Sequence, residues 1–356
     1  MRIPLLLHHH HHRILHRQLY SSSRIILPRT FSTQSHSYTS PNVADPTTMP
    51  PLNPTSQKAI ARLRNYTPPP TTYTSVPLSR RAAVLVLLYA DQKGDLRVVL
   101  TMRAATLSSY AGQAALPGGR ADSLSETPIQ TARREAKEEI GLPEHDEQLP
   151  RPFTVEHLCE FPANLARTEL VVRPCVALLH SFDELTGENA DPEVSLIPRL
   201  DAREVAAVFT APFRNFLRCR DMEDWGDGDP MEWYKGAWTE WHQENWKMHQ
   251  FFVPVRPKEV VKPKTRTEEQ KEAVSQLEEQ EKASQVIRYR VFGMTARMLV
   301  DVARVAYAEE PEFEHNSHFG DEAIIEKLRK MGRLSPIRRT GDQLTRRDME
   351  MAAKLS

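Results

Sequence analysis

The stretch Gly119–Leu142 reads GRADSLSETPIQTARREAKEEIGL, and its second half decides the fold. Thr127 is suited to cap a helix, Pro128 to open it, and Gln130 to return the cap's hydrogen bond. Gly141 suits a left-handed position at the helix end, and Pro143 blocks any continuation. At ~100° per residue, such a helix holds Glu135, Glu138 and Glu139 within an arc of roughly 100° on one face. Ile129, Ala132, Ala136 and Ile140 form a separate apolar stripe. One side of the helix is therefore expected to be buried while the carboxylates line the edge of a site.

Three carboxylates so close repel one another and raise one another's pKa. A hard divalent cation with oxygen ligands relieves that repulsion, and Mg²⁺ in particular binds through a few carboxylates together with substrate phosphates. Such an ion polarises a phosphoryl oxygen and acidifies a bound water, so the expected chemistry is attack of water on a phosphoanhydride. Arg134 stands where it can orient Glu135 through a forked pair, and Gly118-Gly119 lets backbone approach phosphate closely. The alternative is an ordinary solvated helix. Against it, the spacing of Gly119, Arg134, Glu135, Glu138, Glu139 and Gly141 fixes six residue types, a chance match of order 10⁻⁷ per start position at average usage.

Outward from this helix the pattern is one of strands. Ala82–Tyr89 is a continuous apolar run, as in a strand buried on both faces. Asp91-Gln92-Lys93-Gly94-Asp95 is turn chemistry, and Leu96–Met102 reads as the partner strand of a hairpin. A short strand is expected to end at Leu116-Pro117-Gly118-Gly119. Further strands are expected over Phe153–Glu160, Leu170–Leu179 and Val286–Phe292, with Val205–Phe209 open between strand and helix. Helices are expected over Gln57–Tyr66, Pro212–Arg218, Met294–Ala308 and Asp321–Met331. Hairpins mixed with a few helices indicate an α+β domain built on a mixed sheet. Residues 256–285 are charged and poor in aromatics, and read as an exposed insertion, helical in part. The expected organisation is a basic leader over 1–44, a linker with a short helix over 45–77, a catalytic domain over 78–310, and a helix with a basic tail over 311–356.

The stretch resembles the Nudix box, G-x5-E-x7-R-E-U-x-E-E-x-G-U with U apolar. Arg134, Glu135, Ala136, Glu138, Glu139, Gly141 and Leu142 match residue for residue, and Glu126 is correctly placed before Arg134. Gly119 lies one residue further from Glu126 than the general box allows, a spacing found in the coenzyme A diphosphatase branch. That branch carries an upstream signature matched here by Leu100-Thr101-Met102-Arg103-Ala104, Gly112 and Leu116-Pro117-Gly118-Gly119. Ser108 stands where a second Arg is expected, and Leu116 replaces Phe. Trp246–Phe251 and Val291–Arg297 also look like this branch, which the chain resembles over roughly 57–310. The resemblance implies a Nudix-type α/β/α sandwich and hydrolysis of coenzyme A or acyl-CoA to 3′,5′-ADP and (acyl-)4′-phosphopantetheine. It implies Mg²⁺ or Mn²⁺ on Glu135, Glu138 and Glu139, with Glu135 and Arg134 catalytic. Gly118, Gly119 and Arg103 would meet the substrate, with Arg120 joining them by its place beside the glycines. Glu204 and His249 are weaker candidates for a general base, with capping or packing the preferred reading of both. The alternatives are a Nudix pyrophosphatase for ADP-ribose or NADH, and a non-catalytic Nudix-fold binding protein.

Lys plus Arg equal Asp plus Glu at 47 each, which argues against a coat for nucleic acid or anionic membrane. The longest apolar run is far shorter than the ~20 residues of a membrane-spanning helix. Three cysteines with no CxxC indicate neither a disulfide framework nor a cysteine zinc site. The charge is unevenly placed: residues 1–44 hold five Arg and no acid. This Arg- and Ser-rich, acid-free composition suits a mitochondrial transit peptide, so the matrix is the expected location. A peroxisomal address is the alternative, but Ala353-Lys354-Leu355 is followed by Ser356. All five Trp fall between Trp225 and Trp246, as either a flap over the substrate's pantetheine arm or an apolar cluster pinning a long insertion.

Overall fold

The computed structural model describes residues 52–103, 113–183, 185–202, 205–222, 232–241, 244–264, 266–283, 287–336 and 344–354. The expected transit peptide, Ser108, Gly112, Glu204, Trp225 and the last two residues lie outside them.

The strands are β1 (Arg81–Ala90), β2 (Leu96–Met102), β3 (Ala114–Ala115), β4 (Gly118–Arg120), β5 (Thr154–Glu160), β6 (Asn164–Leu165), β7 (Val171–His180), β8 (Ala207–Pro212), β9 (Tyr234–Trp241), β10 (Glu244–Val255) and β11 (Ile287–Phe292). The α-helices are α1 (Pro54–Arg64), α2 (Pro128–Ile140), α3 (Pro192–Ser195), α4 (Glu268–Ala283), α5 (Gly293–Tyr307), α6 (Glu322–Lys330) and α7 (Arg346–Lys354). The main sheet runs β3-β2-β1-β7-β5, with β4 also on β1, β6 on β7 and β8 on β2. β1 and β7 are parallel, from Arg81 opposite Val171 to Leu88 opposite Leu178, and the other pairs in this sheet are antiparallel. The sheet is therefore mixed, as expected.

Layering explains the composition of β1. Ala83, Leu85, Leu87 and Tyr89 pack with Ala132, Ala136 and Ile140 of α2. Ala82, Val86 and Leu88 face the other way, into a cluster with Ile60 and Leu63 of α1 and Leu299, Val302 and Ala303 of α5. A strand covered on both faces has no polar side to display, so it reads as one apolar run.

The structure adds packing detail to three expected segments. The short helix expected within 45–77 is α1, and it is part of the principal core through Ala59, Ile60 and Leu63, while Arg62 donates to the carbonyl of Ala306 (3.1 Å). The insertion over 256–285 is anchored: Val274 of α4 is buried, and the Gln270 side-chain amide donates to the carbonyls of Ala202 (3.0 Å) and Val205 (3.4 Å). The basic tail carries a second helix, α7, whose Met349 and Ala352 are buried with Tyr73, Val76, Leu165 and Leu328. Glu322, opening α6, ties these pieces together by accepting from Thr71 Oγ1 (2.7 Å), the Thr72 N–H (2.8 Å), the Ala163 N–H (2.8 Å) and Arg173 (3.3 Å).

The described part of the Trp-rich stretch contributes β9 and the start of β10, which with β11 form a second, three-stranded antiparallel sheet, β11-β10-β9. Trp233 is buried against Phe216 and Phe251 and donates its indole N–H to the Asn215 carbonyl (3.0 Å). Trp238 is half exposed and donates to Glu314 (2.6 Å). Phe251, Val253, Tyr289 and Val291 join the same core as β1. This packing supports the anchoring role for Trp233.

Candidate active site

Helix α2 starts and stops as its termini dictate. The Thr127 side chain accepts from the Gln130 N–H, Gln130 answers with its own side chain, and Gly141 closes the helix at φ 69°. The buried alanines let α2 lie close on β1 and β4. Its functional edge is thereby set against the Gly118-Gly119 backbone.

Arg134 organises that edge. Its Nε donates to Glu126 (2.8 Å), its Nη1 to both Glu135 (3.1 Å) and Glu138 (3.2 Å), and its Nη2 to the backbone carbonyl of Arg120 (2.6 Å). Asp122 stands 3.4 Å from the same Nε. One planar fork thus gathers the carboxylates of two segments, a task a point-charge lysine cannot perform. Glu139 is turned elsewhere: its Oε2 accepts from the Gly118 N–H (3.0 Å).

Burial pushes the Glu135 carboxyl above its ordinary range, against the pull of Arg134, and the nearby Glu138 and Asp122 add to the rise. For Glu126 burial acts upward too, but the hydrogen bonds from Arg134 and the Asp122 N–H hold it below the usual range.

The donor chemistry fits a hard divalent cation: only carboxylate oxygens are offered, and half-buried Glu135 lies among other acids. The three glutamates nevertheless do not converge on one point. Arg134 holds the place between Glu135 and Glu138 with its own charge, and among the described residues no three His, Cys, Asp or Glu side chains form a ready cation site.

The substrate candidates separate. Gly118 and Gly119 lie against α2, and Arg120 is the exposed next residue. Arg103 lies at the end of β2, its backbone N–H on the Gln113 carbonyl (3.0 Å) and its Nε buried without a hydrogen-bond partner among the described residues. His249 takes the packing role preferred for it over that of a base. It is 1% exposed on β10, bonded through Nδ1 to the Tyr234 hydroxyl (3.0 Å), and burial lowers its pKa to about 3. Sequence reading passed over Asp122, whose side chain completes the ring of acids around Arg134. Its proximity to the box glycines was the available signal.

This box geometry defines a Nudix-type site, and similarity agrees. A NUDIX domain model matches residues 79–234. The chain is 31% identical over 174 residues to the uncharacterized Nudix hydrolase NudL of Cronobacter sakazakii, covering 73% of that protein and 46% of this chain. The chain belongs to the Nudix hydrolase family. It is also 36% identical over 173 residues to the peroxisomal coenzyme A diphosphatase 1 of Saccharomyces cerevisiae, covering 46% of this chain and 51% of that one. With the mitochondrial Nudix hydrolase 15 of Arabidopsis thaliana it shares 28% identity over 234 residues, 66% of this chain and 61% of the relative. The match thus spans between half and two thirds of the length of these two relatives. Nudix enzymes act on small molecules and generally use divalent cations such as Mg²⁺ or Mn²⁺. Among the described residues no helix is long and apolar enough to cross a membrane.

Proposed function

We propose that the protein is a metal-dependent diphosphatase that cleaves coenzyme A and acyl-CoA to 3′,5′-ADP and (acyl-)4′-phosphopantetheine. The observation that carries the reaction class is the Arg134 fork, which gathers Glu126, Glu135 and Glu138 beside Gly118-Gly119. The substrate rests on the likeness to the yeast enzyme and on the upstream signature through Arg103. The Nε of Arg103, buried and without a partner among the described residues, is a donor suited to an anionic ligand.

Glu135, Glu138 and Glu139 would hold Mg²⁺ or Mn²⁺, which when bound neutralises phosphate charge and acidifies water. The chain's own residues do the rest. The glycines admit the diphosphate close to the backbone, Arg134 holds Glu135 in place, and Arg103 and Arg120 meet phosphate. Glu135 accepts the proton of the attacking water as its oxygen bonds to phosphorus and the bond from phosphorus to the bridging oxygen breaks. For location we propose the mitochondrial matrix, from the composition of residues 1–44. The relatives' names point both ways, one mitochondrial and one peroxisomal.

The test is product analysis by mass spectrometry. Protein lacking residues 1–44 is incubated with Mg²⁺ or Mn²⁺ and, separately, coenzyme A, ADP-ribose and NADH, beside Glu139→Gln. Cation-dependent 3′,5′-ADP from coenzyme A, lost in the variant and on chelation, is expected. Faster cleavage of ADP-ribose or NADH moves the substrate to another nucleoside diphosphate. No turnover by folded protein returns the binding-protein reading.

A further inference from the structure

A crevice of about 500 Å³ opens between the Pro77–Ser79 approach to β1, the end of β4 and Pro336. Pro77, Leu78 and Pro336 give it apolar walls, and Arg120 and Asp122 give it one charge of each sign. Its third wall comes from beyond the segment matched by the family model, and it is held firmly. Ser79 Oγ donates to the Pro336 carbonyl (2.9 Å) and Arg80 Nε to the Ser335 carbonyl (3.0 Å). Arg80 is itself locked by a buried pair with Glu169 (2.8 Å).

The crevice adjoins the carboxylate edge, since Arg134 binds the Arg120 carbonyl and approaches Asp122. It lies on the other side of β4, however. Side chains alternate along a strand, and the Cβ direction of Gly119 points at Glu135. Arg120, the next residue, is therefore directed to the opposite face from the carboxylates beside which the scissile diphosphate would sit, and it is an exposed residue lining the crevice.

We propose that this crevice receives the nucleoside arm of the substrate, with Arg120 meeting a phosphate other than the two joined by the scissile bond. The inference builds on the coenzyme A reading. A planar guanidinium matches a phosphate dianion through two parallel hydrogen bonds. Proline rings and Leu78 offer the flat apolar surface that a nucleobase requires. The volume falls within the ~300–1,000 Å³ of small-molecule sites. The consequence is that Pro336, outside the family match, helps determine specificity.

The experiment is titration calorimetry of the purified protein with 3′,5′-ADP, 5′-AMP and 4′-phosphopantetheine. The expected result is that 3′,5′-ADP binds about tenfold more tightly than 5′-AMP, the worth of one charge-assisted pair. Arg120→Gln should erase that margin. Ser79→Tyr, which plugs the crevice, should weaken both nucleotides and leave 4′-phosphopantetheine unchanged; Pro336→Tyr serves the same purpose should Ser79→Tyr lose its circular-dichroism signature. Equal binding of the two nucleotides by wild type, or a margin that survives Arg120→Gln, overturns the proposal. So does weakening of 4′-phosphopantetheine alone by the plug. Coenzyme A turnover is measured in parallel. Its absence, with Arg120-dependent binding of 3′,5′-ADP retained, counts against the reaction and not the crevice; turnover with Arg120-independent binding counts against the crevice alone.

Discussion

A Cβ atom placed on Gly119 would lie 2.5 Å from Cδ of Glu135 and 2.6 Å from its Oε1. The carboxylate proposed as base and ligand therefore rests on bare backbone, in space that any other residue would occupy. The atoms in the way are the far end of a flexible side chain, so the chain can fold around the intrusion by displacing the carboxylate. Gly119→Ala should thus keep its melting temperature within a few degrees and lose about 100-fold in kcat, the scale of a misplacement near 1 Å. Gly118→Ala should behave oppositely. Its φ is 152° and the added carbon would meet Val84 Cα at 2.6 Å, so stability itself should fall. Thermal melts and steady-state kinetics on the two variants separate these outcomes; equal loss of stability in both would refute the distinction.

Arg134→Lys keeps the charge and removes the fork. A single ammonium cannot reach Glu126, Glu135, Glu138 and the Arg120 carbonyl together, so the acids should drift apart. We expect kcat to fall by at least about 100-fold, with a weaker apparent affinity for Mg²⁺. Retention of more than a third of wild-type kcat would show that the fork is dispensable.

His249 predicts a pH dependence. Burial, reinforced by Lys247, His315 and Arg297, lowers its folded pKa to about 3 from an ordinary 6.5. Between those values the unfolded chain binds the extra proton and the native chain does not. Stability is then full above about pH 6.5 and declines as pH drops toward 3, by at most about 1.4 kcal/mol per pH unit. His249→Gln removes that titration while leaving an acceptor for Tyr234. Its melting temperature should vary less between pH 7.5 and 5 than that of wild type, and identical slopes would exclude the mechanism.

Arg80 and Glu169 form a pair whose side chains are 6% and 4% exposed. Glu169 also accepts from the Leu344 N–H (2.7 Å), so the pair fastens the C-terminal helices to the start of β1. Glu169→Ala leaves a buried guanidinium without its counter-charge and should cost about 3–5 kcal/mol. Denaturant unfolding measures the loss. Limited proteolysis should cut first near α7 in the variant, and an unchanged digestion pattern would argue against the fastening role.

The helix α2, its caps and its apolar stripe were legible because each depends on residues within a few positions of one another. β1, β2, β7 and α5 were legible for a similar reason, as largely apolar runs of the right length bounded by turn residues. β9 and β10 escaped. The inward positions of β10 include Lys247 and His249 alongside Phe251 and Val253, so its alternation is chemically mixed. Lys247 is accommodated by Glu314 (2.9 Å) and by the Trp238 ring, partners no local pattern announces. α7 escaped likewise, because its described buried side chains, Met349 and Ala352, lie within a basic stretch.

The sequence by itself determined the Nudix helix, the residue types at its edge and the mixed α+β architecture, since capping, periodicity and spacing are local properties. Tertiary structure alone decided where those groups face. It turned Glu139 onto Gly118, set Arg134 between Glu135 and Glu138, buried His249 and brought Pro336 beside Arg120. Such contacts join residues far apart in the chain, and their geometry follows from how the layers pack.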